Sequence, residues 1–89
     1  MNGYNLIKPQ AFCYSDWKFI GKFTKNNGLA NCAEACDDQD DCRYISFGVS
    51  GSDKGYCYGH HAKESCKGYL DEDKYDFYDV GRTRGTLYI

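Results

Sequence analysis

Gly28-Leu29-Ala30-Asn31-Cys32-Ala33-Glu34-Ala35-Cys36, then the acidic run Asp37 to Asp41, then Cys42-Arg43-Tyr44-Ile45-Ser46-Phe47-Gly48-Val49: this stretch decides the fold. Leu29, Cys32, Ala33 and Cys36 fall at i, i+3, i+4 and i+7, one narrow apolar stripe on a short helix. Two starts fit the spacing. Asn27 or Gly28 can serve as N-cap, or Asn31 with Glu34 can form a capping box one turn later. The four acids of Asp37-Asp38-Gln39-Asp40-Asp41 oppose the dipole at a helix C-terminus, so the helix is expected to stop there after about three turns. The period then changes to two. Ile45, Phe47 and Val49 alternate with Tyr44, Ser46 and Gly48, the pattern of a strand with one buried face.

Outward from this core, Ser50 to Gly55 reads as a turn and Tyr56-Cys57-Tyr58 as the returning strand of a hairpin. On the N-terminal side Trp17, Phe19 and Phe23 share one strand face and Lys18 and Lys22 the other. Lys25-Asn26-Asn27-Gly28 ends that strand. Residues 59–74 are charged and irregular, a loop by sequence. Tyr75 to Val80 reads as the next strand, and Thr86 to Ile89 as a weak final strand or tail. The expected fold class is α+β: a single α-helix packed on a small antiparallel β-sheet, stapled by three disulfides. The domain spans residues 12–81, after a polar lead-in at 1–11 and before a C-terminal strand or tail at 82–89.

Composition sets the compartment. A chain of 89 residues holds one domain and buries only about 60–65% of its unfolded surface, so it is marginal without cross-links. Its six cysteines are even in number and contain no Cys-x2-Cys pair, which points to three bridges and an oxidising environment. Each bridge is worth about 2–4 kcal/mol, the scale of the net stability of so small a domain. The formal net charge of −2 offers no basic field, which excludes nucleic acid as the expected partner. No run approaches the roughly 18 apolar residues of a membrane span. The first residues lack the basic and apolar regions of a signal peptide. With cysteines that imply secretion, either a signal has been removed or this is a module excised from a larger multidomain protein and carrying an added Met1, the second being the favoured reading. There is no Asn-x-Ser/Thr acceptor for N-glycosylation.

The chain resembles the PAN/apple family over about residues 12–81. Leu29-x2-Cys32-x3-Cys36 matches the two-cysteine helix of that family. Cys42-x2-Ile45-x-Phe47 is similar to its next strand, with Ile45 where an aromatic is usual. Gly55-Tyr56-Cys57-Tyr58 resembles the following strand, and Tyr75 to Val80 the closing aromatic one. The resemblance implies a Cys32–Cys57 bridge from helix to sheet and a Cys36–Cys42 bridge at the helix end. Apple domains proper add a bridge between first and last cysteines, here Cys13–Cys66. The chain departs from the pattern in placing Cys66 before the closing strand. Members are non-enzymatic binding modules of clotting proenzymes, growth factors, leech antihaemostatic proteins and parasite adhesins, holding proteins or carbohydrates. The expectation is therefore an extracellular adhesion or recognition module with a protein receptor or glycan as partner and no cofactor. A structural spacer of a multidomain ectodomain is the alternative. A lone secreted antihaemostatic-type effector is a third.

Cys57, His60, His61 and Cys66 could be read as a zinc set. Adjacent histidines fit one ion poorly, and using two cysteines strands the other four, so an exposed polar loop is expected instead. The Asp37–Asp41 run lacks the alternating acids, central Gly and closing Glu of a calcium loop, and reads as a solvated helix end. Ser15, Ser46, Ser50, Ser52 and Ser65 with His60 and His61 form no nucleophile elbow, so no catalytic residue is assigned. The tyrosines are the functional lead. If Cys57 faces the helix, Tyr56 and Tyr58 face away, and Tyr44 follows by parity from Ile45 and Phe47. With Lys18 and Lys22 they make a candidate ligand-binding face, Tyr being suited to proteins and to sugar rings. The competing reading has the 59–74 loop covering that face, so that the tyrosines become a second small core. Arg82 and Arg84, in so acidic a chain, are weak candidates for sulfated glycans.

Overall fold

The apolar stripe lies on α1 (Gly28–Asp37), the earlier of the two possible starts. Asn27 takes a left-handed conformation with φ of 67° at the N-cap and caps no amide with its side chain. Asn tolerates that region better than most residues. Gly28 is required by close approach, because a Cβ there would run into the Phe23 carbonyl oxygen. The helix ends where the acidic run begins, with the Asp38 amide donating back to the Glu34 carbonyl and the Gln39 amide to the Cys36 carbonyl.

The computed structural model describes residues 4–13, 17–39, 41–61, 69–71 and 73–80. Around α1 these form β1 (Asn5–Lys8), β2 (Ala11–Cys13), β3 (Lys18–Lys22), β4 (Cys42–Gly48), β5 (Tyr56–His61), β6 (Tyr69–Asp71) and β7 (Tyr75–Asp79). Five of the strands make one antiparallel sheet in the order β1-β7-β4-β5-β3, and β2 pairs with β6 as a separate ribbon. The expected helix-on-sheet arrangement is present. A third layer is added to it.

On the helix side, Cys32, Ala33 and Cys36 pack with Cys42, Ile45, Phe47, Cys57 and Val80, flanked by Ile20, Phe23, Leu29 and Tyr78. Fully burying an Ile or Phe side chain here is worth about 1.5–3 kcal/mol. Two disulfides run through this core. Cys32–Cys57 ties helix to sheet with Cα atoms 5.7 Å apart, and Cys36–Cys42 ties the helix end to β4 at 5.3 Å. Both pairings match the expectation. Cys13 is also disulfide-bonded; the expected partner Cys66 lies outside the described residues, as do Arg82, Arg84 and the 82–89 segment.

The opposite face of the sheet is covered by β2. The Phe12 ring meets Tyr58, His60 and Tyr75 edge-on, and the Cys13 amide donates to Ser46 Oγ at 3.2 Å. Ala11, Cys13, Ser46 and Phe77 are buried beneath or within this layer. A second small core therefore exists over β4 and β7, but Phe12 of β2 closes it rather than the expected 59–74 loop, and of the tyrosines it buries Tyr75, not Tyr44, Tyr56 or Tyr58.

Four expectations are corrected. The polar lead-in contributes a strand, β1, which pairs with β7 at one edge of the sheet. Residues 59–74 are not one irregular loop, because β5 runs on to His61 and β6 occupies 69–71. Val49 lies past the end of β4 and is 38% exposed. The fourth concerns β3. A register shift between Phe19 and Gly21 places Ile20 and Gly21 consecutively on the helix side, so two-residue parity fails across it. Trp17 and Phe19 face away from the helix while Phe23 packs on the core, and the three do not share a face. The β1–β7 pair carries a similar shift between Leu6 and Lys8.

Candidate functional site

Cys57 must face α1 to reach Cys32, and that orientation turns its neighbours Tyr56 and Tyr58 to the other side of β5. The β3 bulge brings Phe19 opposite Tyr58 and Lys22 opposite Tyr56. The ring of Phe19 meets Tyr56 at 5.7 Å and Tyr58 at 5.3 Å, and Trp17 meets Tyr58 at 5.5 Å. Lys22 Nζ stands 5.5 Å over the Tyr56 ring, a cation–π contact. Edge-to-face pairs of this kind add about 0.5–1.5 kcal/mol each beyond area burial and hold the rings in fixed orientation.

The rings form a continuous series from interior to surface. Tyr75 is buried, and its ring meets Phe12 at 5.0 Å and Tyr58 at 6.0 Å. At the outer end Trp17 is 54% and Phe19 50% exposed. Among the described residues, β2 thus covers the β4–β7 half of the face and part of β5, and leaves Trp17 and Phe19 exposed beside β3. Of the candidate residues, Tyr56, Tyr58 and Lys22 come together there. Tyr44 shares the face but lies beyond the ribbon, stacked on Phe77 at 5.6 Å with the Arg43 guanidinium 5.4 Å from its ring. Arg43 is itself held by Asp79 at 3.2 Å, which raises its pKa further. Lys18 is a correction: it pairs with Gly59, whose Cβ position points at Cys42 Sγ, so register puts it on the helix face.

The polar candidates are otherwise engaged. Ser46 Oγ and His60 Nε2 are 2.8 Å apart, the geometry of a nucleophile and its base. Ser46 is 0% and His60 4% exposed, under the Phe12 ring, so no substrate reaches them and the contact is structural. His60 is therefore no part of an exposed loop. Cys57 is committed to Cys32, which removes one member of the zinc set; Cys66 lies outside the described residues, among which no group of three metal-binding side chains occurs. Asp37 departs from the solvated helix end: it is 6% exposed, and its Oδ1 has no hydrogen-bond partner among the described residues. Asp38 and Asp41 are exposed as expected. Ser50 is exposed and Ser52 donates to Asp53 at 3.0 Å; Ser15 and Ser65 lie outside the described residues. Tyr75 donates to Asp53 Oδ2 at 2.8 Å. Burial first, and then that carboxylate, push the Tyr75 phenol well above its ordinary value.

Phe12, Trp17 and Phe19 were missed as site residues. The available signal was Gly21, an isolated glycine inside a strand pattern, which marks a bulge. Comparison with protein-family models, with curated proteins and with solved structures gave no match.

Proposed function

We propose that this chain is a non-enzymatic, extracellular recognition module of PAN/apple type that holds a protein or glycan partner on the β3–β5 edge. The observation that carries the reading is an aromatic strip in which exposed Trp17 and Phe19 stand on half-buried Tyr56 and Tyr58, with Lys22 beside it. Exposed large aromatics, oriented by neighbouring rings and flanked by a cation, are the anchors that binding surfaces use. The ordered cysteine helix, its bridges to β4 and β5 and the closing aromatic strand support the family assignment. A third bridge from Cys13 to Cys66, extracellular localisation and placement within a larger ectodomain belong to the same proposal.

The test is a receptor and glycan array screen, followed by variants of whichever partner is captured. Phe19→Ala and Tyr56→Ala should each weaken binding by the folded protein by about 1–2 kcal/mol, with a smaller fall in thermal midpoint than Tyr58→Ala gives. Lys22→Ala should act mainly on association rate and salt dependence. Tyr58→Ala also removes contacts to Phe12 and Tyr75, so it should lower both affinity and midpoint. Binding that survives all four substitutions refutes this surface, and a screen with no partner leaves the spacer reading in its place.

A further inference from the structure

We propose that the opening between the start of α1 and the β4–β5 turn is a second ligand site, built for a small amphiphilic carboxylate: an aryl or short alkyl body bearing one negative charge. It lies on the helix side of the sheet and shares no residue with the aromatic strip.

The opening has a volume of about 200 Å³. Phe23, Leu29 and Phe47, which also pack on the helix-side core, supply its interior, and the exposed Val49, Lys25 and Lys54 its rim. An apolar cavity of about 150 Å³ accepts a benzene ring, so this one takes a ring with a short chain. Its shape depends on backbone approaching backbone. A Cβ at Gly48 would meet the Asp53 carbonyl, and one at Gly55, where φ is +90°, would fall 2.9 Å from the Phe23 oxygen.

The sign of the ligand follows from the charges around the rim. Lys25 and Lys54 both line the opening, no acid does, and neither lysine is in an ion pair among the described residues. Asp53, the nearest acid in sequence, is turned away, its two carboxylate oxygens bonded to Ser52 and Tyr75. The α1 N-terminus contributes in the same sense: its first turn carries no acid and no capping side chain, so its partial positive charge is uncompensated. An apolar interior under a cationic rim selects an apolar body with an anionic head. A neutral sugar gains little from such a site, and a free inorganic anion would leave its interior unfilled.

The probe is 4-phenylbutyrate, titrated into 15N-labelled protein and followed by amide chemical shifts, with 4-phenylbutanamide as its uncharged match. For a dozen heavy atoms the dissociation constant should be about 1 mM. Saturating shifts are expected at Leu29, Gly48 and Gly55, with the amide binding at least about fivefold more weakly. Lys25→Gln/Lys54→Gln should weaken the carboxylate by about fivefold to tenfold and leave the amide unchanged. Added salt on the unaltered protein should act in the same direction. Equal binding of acid and amide would overturn the proposal, as would shifts centred on Trp17, Phe19 and Tyr56. So would the absence of saturable shifts at about 10 mM, ten times the expected constant.

Discussion

Opening Cys32–Cys57 should destabilise the domain more than opening Cys36–Cys42, and the difference can be worked from the chain. The first bridge closes a separation of 25 residues and the second a separation of 6. The loop-entropy relation gives about 3.5 kcal/mol for the longer loop and about 2.2 kcal/mol for the shorter at 25 °C, a gap of about 1.3 kcal/mol. All four cysteines are buried, so replacing either pair by alanine leaves a comparable void, and that contribution largely cancels in the comparison. At about 4–8 °C of midpoint per kcal/mol for a domain of this size, the two variants should differ by about 5–10 °C. The assay is thermal unfolding by circular dichroism of Cys32→Ala/Cys57→Ala and Cys36→Ala/Cys42→Ala. Removing both members of a bridge leaves no new thiol to reshuffle. Equal midpoints, or the reverse order, would refute the assignment of the stabilisation to loop closure.

Two further outcomes are expected. The Tyr75 phenol titrates above its ordinary value in the fold and near 10 in the unfolded chain; its contribution is therefore complete below about pH 10 and lost as pH rises beyond it, by up to about 1.4 kcal/mol per unit. The midpoint should fall more steeply from pH 9 to 11 in the parent than in Tyr75→Phe, with some slope remaining because burial also raises Tyr78; parallel slopes would contradict the account. Ser46→Ala takes one hydrogen-bond partner each from His60 and the Cys13 amide in a buried layer and should cost about 1–3 kcal/mol, measured against the exposed control Ser50→Ala; a midpoint equal to the control's would show that the ribbon is not held by this contact.

Local periodicity made the helix and central hairpin legible because each depends on side chains a few residues apart. Leu29, Cys32, Ala33 and Cys36 point inward in the structure, as do Ile45 and Phe47, and Tyr56 and Tyr58 point the other way. The ribbon was not legible. Its pairing joins Ala11–Cys13 to Tyr69–Asp71 across most of the chain, and a three-residue strand carries no periodicity of its own. The face of Trp17 and Phe19 was misread for a different reason. One extra residue at Ile20/Gly21 reverses parity, and alternation counted from Phe23 then gives the wrong side. Asp37 was placed with its acidic neighbours by composition, whereas its helical position carries it under the surface.

The two outermost strands of the sheet, β1 and β3, both carry a register irregularity, and both display apolar side chains: Leu6 and Ile7 on one, Phe19 on the other. A straight outer strand with such side chains is a template on which further copies can add, unit after unit, into a fibre. A kink in each outermost strand breaks the regular spacing that an incoming strand would pair with, and Lys8, Lys18 and Lys22 place charge along the same borders. The irregularity at Ile20/Gly21 should therefore oppose edge-to-edge growth on the aromatic side, and deleting one residue there to straighten the strand should promote it.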